Sequence, residues 1–118
     1  MAAWRPCPGR HNIWEITLHA AYWKYIVRRR LHGEKRGSFA LKGSNWFTRP
    51  EKISERAWRT DLALLEAEHN LLRAAVVDYL AGKTRPVPGR LVYGAALHDI
   101  YHAGQIRLLR RLQSGKNG

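Results

Sequence analysis

His98 and His102 stand four residues apart in "LHDIYHAGQIRLLRRL" (97–112), a stretch that otherwise reads as an amphipathic helix. Residues at i and i+4 share one helical face, so two imidazoles at this spacing can turn their ring nitrogens towards a single ion. Leu91, Ala95, His98, His102, Gln105, Leu109 and Leu112 alternate steps of four and three, which puts both histidines and Gln105 on the stripe that should face the core. Nearer the start, Ile16, His19, Trp23 and Ile26 form a matching stripe with His19 at its middle. Three imidazoles grouped in an apolar interior need partners for their lone pairs, and a divalent transition metal would be one. Ligation by three histidines leaves a position open for water or substrate, the pattern of a catalytic site. A single histidine on a helix stripe more often packs as a satisfied core residue, and H-x-x-x-H recurs by chance. Spacing alone therefore leaves both readings open.

The neighbours of these residues narrow the chemistry. Asp99 fills the second position of the H-x-x-x-H string, so the general-base glutamate of H-E-x-x-H zinc proteases is missing and a peptidase is disfavoured. Asp99 and Tyr101 project about a quarter-turn or more from the stripe, Asp99 towards the surface or a hydrogen-bonding neighbour. Gln105 is a candidate for orienting a ligand or contacting substrate, because an amide on the core stripe needs partners. Gly104 is expected to permit close helix approach. His69 could act as a further ligand or proton carrier, though packing beside Leu65 and Leu72 is the simpler expectation. Glu15, one turn before His19, could join the site or merely cap its helix. Trp14, Trp23, Trp46 and Trp58 read as core or boundary aromatics, any of which could line a pocket. His11 and His32 fall at helix ends and receive no role.

Three helices position these residues. The first is expected from about His11 to Leu31, with Asn12 as N-cap, Glu15 completing a capping-box pair and Gly33 beyond the end. The second runs from about Ser54 to Leu80, capped by Ser54 and stopped by Gly82. Its core stripe is read as Trp58, Leu62, Leu65, His69, Leu72, Val76 and Tyr79. The third runs from about Leu91 to Gln113 and stops at Gly115. The link "GEKRGSFALKGSNWFTRPEK" is long enough for a crossover, whereas "KTRPVPGR" is a short turn. "RPCPGR" at 5–10 and "RPVPGR" at 85–90 share turn chemistry rather than ancestry.

At 118 residues and 45% hydrophobic content the chain is expected to form one domain, 1–118. Cys7 is its only cysteine, which excludes an internal disulfide and fits a cytoplasmic setting. Glu15, His19 and Lys24 interrupt the most apolar stretch well short of a membrane span, and no signal peptide is recognisable. The formal charge of +12 raises nucleic acid or small anions as partners. Much of it sits at predicted helix C-termini, at Arg28 to Arg30 and at Arg107, Arg110 and Arg111, where cations suit the helix dipole without any ligand. Without a helix-turn-helix pattern, nucleic acid is the weaker reading.

"HNIWEITLHAAYWKYIVRRRLHG" taken together with "LHDIYHAGQIRLLRRL" resembles the DinB/YfiT-like superfamily. The string "HDIYHAGQI" and the W-E-x-x-x-H order before His19 carry the likeness, which also takes in "KGSNWF" and covers nearly the whole chain. The resemblance implies an all-α four-helix bundle holding a metal on one histidine of the second bundle helix and an H-x-x-x-H pair of the fourth. Here these are His19, His98 and His102. It further implies a metal-dependent enzyme acting on a small molecule: a transferase or isomerase using a low-molecular-weight thiol, or a hydrolase. A divalent ion is expected, zinc or nickel first and manganese or iron next, with a small, anionic substrate favoured by the charge. The alternatives are a non-catalytic metal-stabilised bundle or a basic nucleic-acid-binding module. The family's first helix has no counterpart in "MAAWRPCPGR", which is too short and Pro-rich. Three helices would leave apolar surface for a partner, most simply a second copy, unless the true start lies upstream.

Overall fold

Asn12 opens the first helix, α1 (Ile13–Leu31), by a reciprocal capping box. Its Oδ1 accepts from the Glu15 backbone N–H at 2.8 Å while Glu15 Oε1 accepts from the Asn12 N–H at 3.0 Å. Arg5 pairs with the same carboxylate. Burial opposes charge on Glu15, yet the Arg5 and Asn12 hydrogen bonds hold its carboxyl below the ordinary range. Gly33, at φ +71°, ends the helix in the left-handed conformation that glycine adopts without steric strain. Ser54 caps α2 (Glu55–Leu80) by accepting from the Ala57 N–H at 3.0 Å. The third helix, α3 (Gly89–Asn117), starts directly after Pro88, whose carbonyl accepts from the Leu91 N–H, and runs through Gly115 rather than stopping there. The computed structural model of the chain describes residues 2–34, 39–52 and 54–117, the side chains of the last two excepted. Positions 35–38 of the expected crossover lie outside these.

No strand occurs among the described residues, and the three helices form an all-α bundle organised around α1. α1 packs against both α2 and α3. Its N-terminal half is also covered by the opening segment and the 39–52 loop: Ala2, Ala3, Trp4, Phe39, Leu41 and Phe47 all pack into the cluster built on Trp14, Ile16 and Leu18. The Ala2 carbonyl accepts from the Trp14 N–H at 3.1 Å, which fastens the segment before α1 to the core. A second cluster, Val27, Leu31, Leu72 and Ala75, closes the other end against Leu91 and Ala95. No described helix is long and apolar enough to cross a membrane.

Two expectations about helix faces need correction. In its N-terminal part α2 is turned by about one residue from the expected stripe: Asp61 and Glu68 are buried, whereas Leu62 and His69 are exposed. Carboxylates can occupy that seam because cations and an indole meet them there. Trp14 Nε1 donates to Asp61 at 2.6 Å, Arg49 pairs with Asp61, and Arg28 pairs with Glu68 at 3.3 Å. On α3 the stripe holds from Leu91 to Leu109, but Leu112 is 47% exposed. The opposite face of α3 carries Tyr93, Leu97, Ile100, Tyr101 and Leu108, all more than half exposed.

Candidate metal centre

α1 and α3 lie side by side so that His19 of the first meets His98 and His102 of the second. His98 Nε2 is 3.2 Å from His19 Nε2 and 3.0 Å from His102 Nε2. The ligand atoms of the three rings lie within 4.8 Å of one another, a group that could hold a metal ion. Nitrogens bound at about 2.0–2.1 Å around a tetrahedral zinc would stand about 3.3 Å apart. The two shorter separations are close to that spacing.

The outer ring nitrogens decide which lone pairs face inward. His19 Nδ1 lies 3.0 Å from the Asn45 carbonyl and His102 Nδ1 lies 2.6 Å from Gln105 Oε1. Both oxygens only accept, so each Nδ1 carries the proton and, in the neutral ring, each Nε2 is bare. The Nε2 of His98 stands between two bare nitrogens, and its single proton could satisfy only one. The unmatched lone pair is the feature that fits a cation rather than a self-contained hydrogen-bond cluster. Electrostatics supports neutral His19 and His98 rings: burial, with the neighbouring histidines, lowers the His19 pKa from 6.5 to about 4. Burial, His102 and Lys24 likewise lower that of His98.

The loop between α1 and α2 supplies Asn45, which sequence reasoning missed, and Trp46, which it expected as a core, boundary or pocket-lining aromatic. Asn45 adopts φ +67°, a left-handed conformation that asparagine tolerates better than most residues, and thereby aims its carbonyl at His19. Its Oδ1 also accepts from Trp23 Nε1 at 2.9 Å. Trp46, the next residue, lies sandwiched between His11 at 3.6 Å and His19 at 3.9 Å, with the rings within 6° of parallel. The available signal was turn chemistry, an Asn after Gly-Ser in a long link. For His11 nothing in the sequence pointed to a role.

The remaining candidates fall outside the cluster. Glu15 is used by the cap and by Arg5. Exposed His69 places Nδ1 3.2 Å from Lys24 Nζ and does not join the other histidines. Asp99 pairs with the same lysine, which is buried. Tyr101 reaches back to the site, its hydroxyl accepting from Gln105 Nε2 at 3.2 Å and so fixing the amide that orients His102. Gly104 is open, with no atom near the position of an added Cβ, and does not mediate a close helix approach. A cavity borders the centre on each side along the helix axes. One touches His98, Trp23 and Asp99, and the other touches His102, Trp46, His11 and Gln105.

No match to the chain is found among curated proteins or among solved structures. A family model described as DinB superfamily does match, over residues 2–106. That span contains α1, α2, the intervening loop and the part of α3 that carries His98, His102 and Gln105. An all-α bundle whose matched span brings three histidines into one group, as the resemblance implied, thus belongs to the DinB superfamily.

Proposed function

We propose that the chain is a metal-dependent enzyme that binds one divalent transition ion through His19, His98 and His102 Nε2 and acts on a small molecule beside it. The observation that carries this reading is the convergence of three Nε2 atoms whose lone pairs outnumber the protons able to satisfy them. When bound, such an ion acts as a Lewis acid that favours the thiolate form of a bound thiol or the ionisation of bound water. The protein's own contribution is orientation. Asn45 and Gln105 fix two ring tautomers, Tyr101 holds Gln105, and Trp46 covers one face of His19. The lowered pKa values of His19 and His98 keep their donor atoms free of competing protons at pH 7.

Two cavities flanking one centre suit a reaction between two small molecules better than hydrolysis of one. The favoured chemistry is attack by a low-molecular-weight thiol on an electrophilic carbon. The sulfur–carbon bond forms as the bond to the leaving group breaks, the leaving group keeps that electron pair, and the thiol proton passes to solvent. Histidine ligands favour zinc or nickel over manganese or iron. The test is metal-loaded protein with a simple thiol and an aryl or alkyl halide. Halide release should exceed the uncatalysed rate by at least about tenfold and be lost in His98→Ala. Ester hydrolysis without thiol would replace the transferase reading with the hydrolase, and bound metal without either activity would leave only a metal-stabilised bundle.

Gln105 gives a milder test of the centre. Gln105→Leu should remove the acceptor for His102 Nδ1 and weaken metal binding by about 10–100-fold, read by competition with a chromophoric chelator. Unchanged affinity would deny it that role.

The apolar outer face of α3 is assigned here to a second copy of the chain. Its exposed side chains, Tyr93, Leu97, Ile100, Tyr101, Leu108 and Leu112, present roughly 700 Å². Each partner of a standard interface contributes about 800 Å². Light scattering should give twice the 13.6 kDa chain mass, and Leu97→Glu with Ile100→Glu should halve it. A folded wild-type monomer would overturn the assignment.

A further inference from the structure

Between the C-terminal half of α1 and the N-terminal half of α3 runs a groove of about 200 Å³. His98 and Trp23 stand at one end, Arg30 and Arg90 at the other, and Val27, Leu91, Gly94 and Ala95 make the apolar walls. Arg90 and His98 are eight residues apart on one helix, so the groove extends roughly 12 Å along the axis. The charges at its two ends differ in kind. Near His98, Lys24 and Asp99 neutralise each other. At the far end, neither Arg30 nor Arg90 has an ion-pair partner among the described residues. The adjoining cleft adds Arg85, whose stem lies so close over Gly33 that an added Cβ would come within 2.9 Å of it. Among the described residues Glu34 is the one acidic side chain lining that cleft, against Arg30, Arg85 and Arg90.

We infer that this groove binds a slender amphipathic monocarboxylate of about ten heavy atoms, its head on Arg30 and Arg90 and its apolar stem on Val27, Leu91 and Ala95. The paired oxygens of a carboxylate match the guanidinium fork, and the apolar walls exclude a ligand charged along its length. Calling this ligand the substrate rests on the metal-dependent reading above. On that reading the reacting group sits at the end remote from the carboxylate, beside His98. This narrows the substrate class to acids functionalised roughly 10 Å from the head.

Calorimetric titration with octanoate tests the inference, with 1-octanol as a neutral probe of similar length. Metal-loaded and chelator-treated protein are both titrated, and metal content is measured in every sample. Octanoate should bind at least about tenfold more tightly than octanol, and Arg30→Glu with Arg90→Glu should remove that preference. Gly94→Leu should block both probes. Gly94 lines the groove, and a Cβ there meets open space, so the added side chain fills the cavity without clashing. Both variants should keep the wild-type helical signal and metal content. Octanoate binding no tighter than octanol, or binding undiminished in either variant, overturns the assignment. Charge-selective binding by wild-type protein that takes up no metal would sustain the groove and defeat the metal-dependent reading instead.

Discussion

Asp61→Ala is expected to lower the unfolding free energy by about 3 kcal/mol and the melting temperature by roughly 10 °C. Asp61 is 6% exposed and sits where α2 crosses the N-terminal half of α1. It accepts from Trp14 Nε1 at 2.6 Å, its Oδ2 lies 3.0 Å from Arg49 Nε, and its Oδ1 accepts from Arg49 Nη2 at 3.3 Å. Truncation would strand an indole N–H on a residue only 1% exposed, and would leave a partly buried guanidinium without its counter-charge. Each stranded group has lost water as well as its partner, so the loss exceeds the net worth of the bonds themselves. Asp61→Asn keeps an acceptor for Trp14 and removes only the charge, and should lose about half as much. Glu66→Ala, on an exposed position of the same helix, should change stability by less than about 0.5 kcal/mol. Urea unfolding with unchanged m-values is the measurement. A loss below about 1 kcal/mol for Asp61→Ala would contradict the account of this seam.

That seam also shows where sequence reasoning ends. Apolar periodicity treats Leu62 as core and Asp61 as surface, and the structure reverses the two. The partner that makes Asp61 tolerable, Trp14, lies 47 residues away, and the partner of Glu68, Arg28, lies 40 away. Pairings at such range leave no local pattern. Signals with local causes were legible: the Asn12–Glu15 capping box, the Ser54 cap, and the α3 stripe from Leu91 through Leu109. His19, His98 and His102 were legible because each stands on such a stripe, and the structure brings the stripes together. Asn45 was not, because a loop carries no period and its placement depends on a left-handed turn, and Trp46 was legible as a pocket-lining aromatic but not as the ring stacked on His19. Apolar surface left for a partner is expected from the sequence, but not its place on the outer face of α3, because the stripe carrying the histidines already reads as that helix's apolar face.

The second large effect is loss of the metal. His102 is 6% exposed, presents Nε2 to His98 at 3.0 Å, and is held by Gln105 at 2.6 Å. Alanine there would delete one of three donors and leave the other two without a complete set, so affinity should fall by at least about a hundredfold. His69→Ala is the matched control, since its ring is exposed, lies near Lys24 and stands outside the group. Elemental analysis of wild type, His102→Ala and His69→Ala after loading with zinc or nickel and desalting tests the central claim most directly. The account predicts about one ion per chain in wild type and His69→Ala, and almost none in His102→Ala. Stoichiometric metal in His102→Ala, or a wild-type protein that retains none, would contradict it.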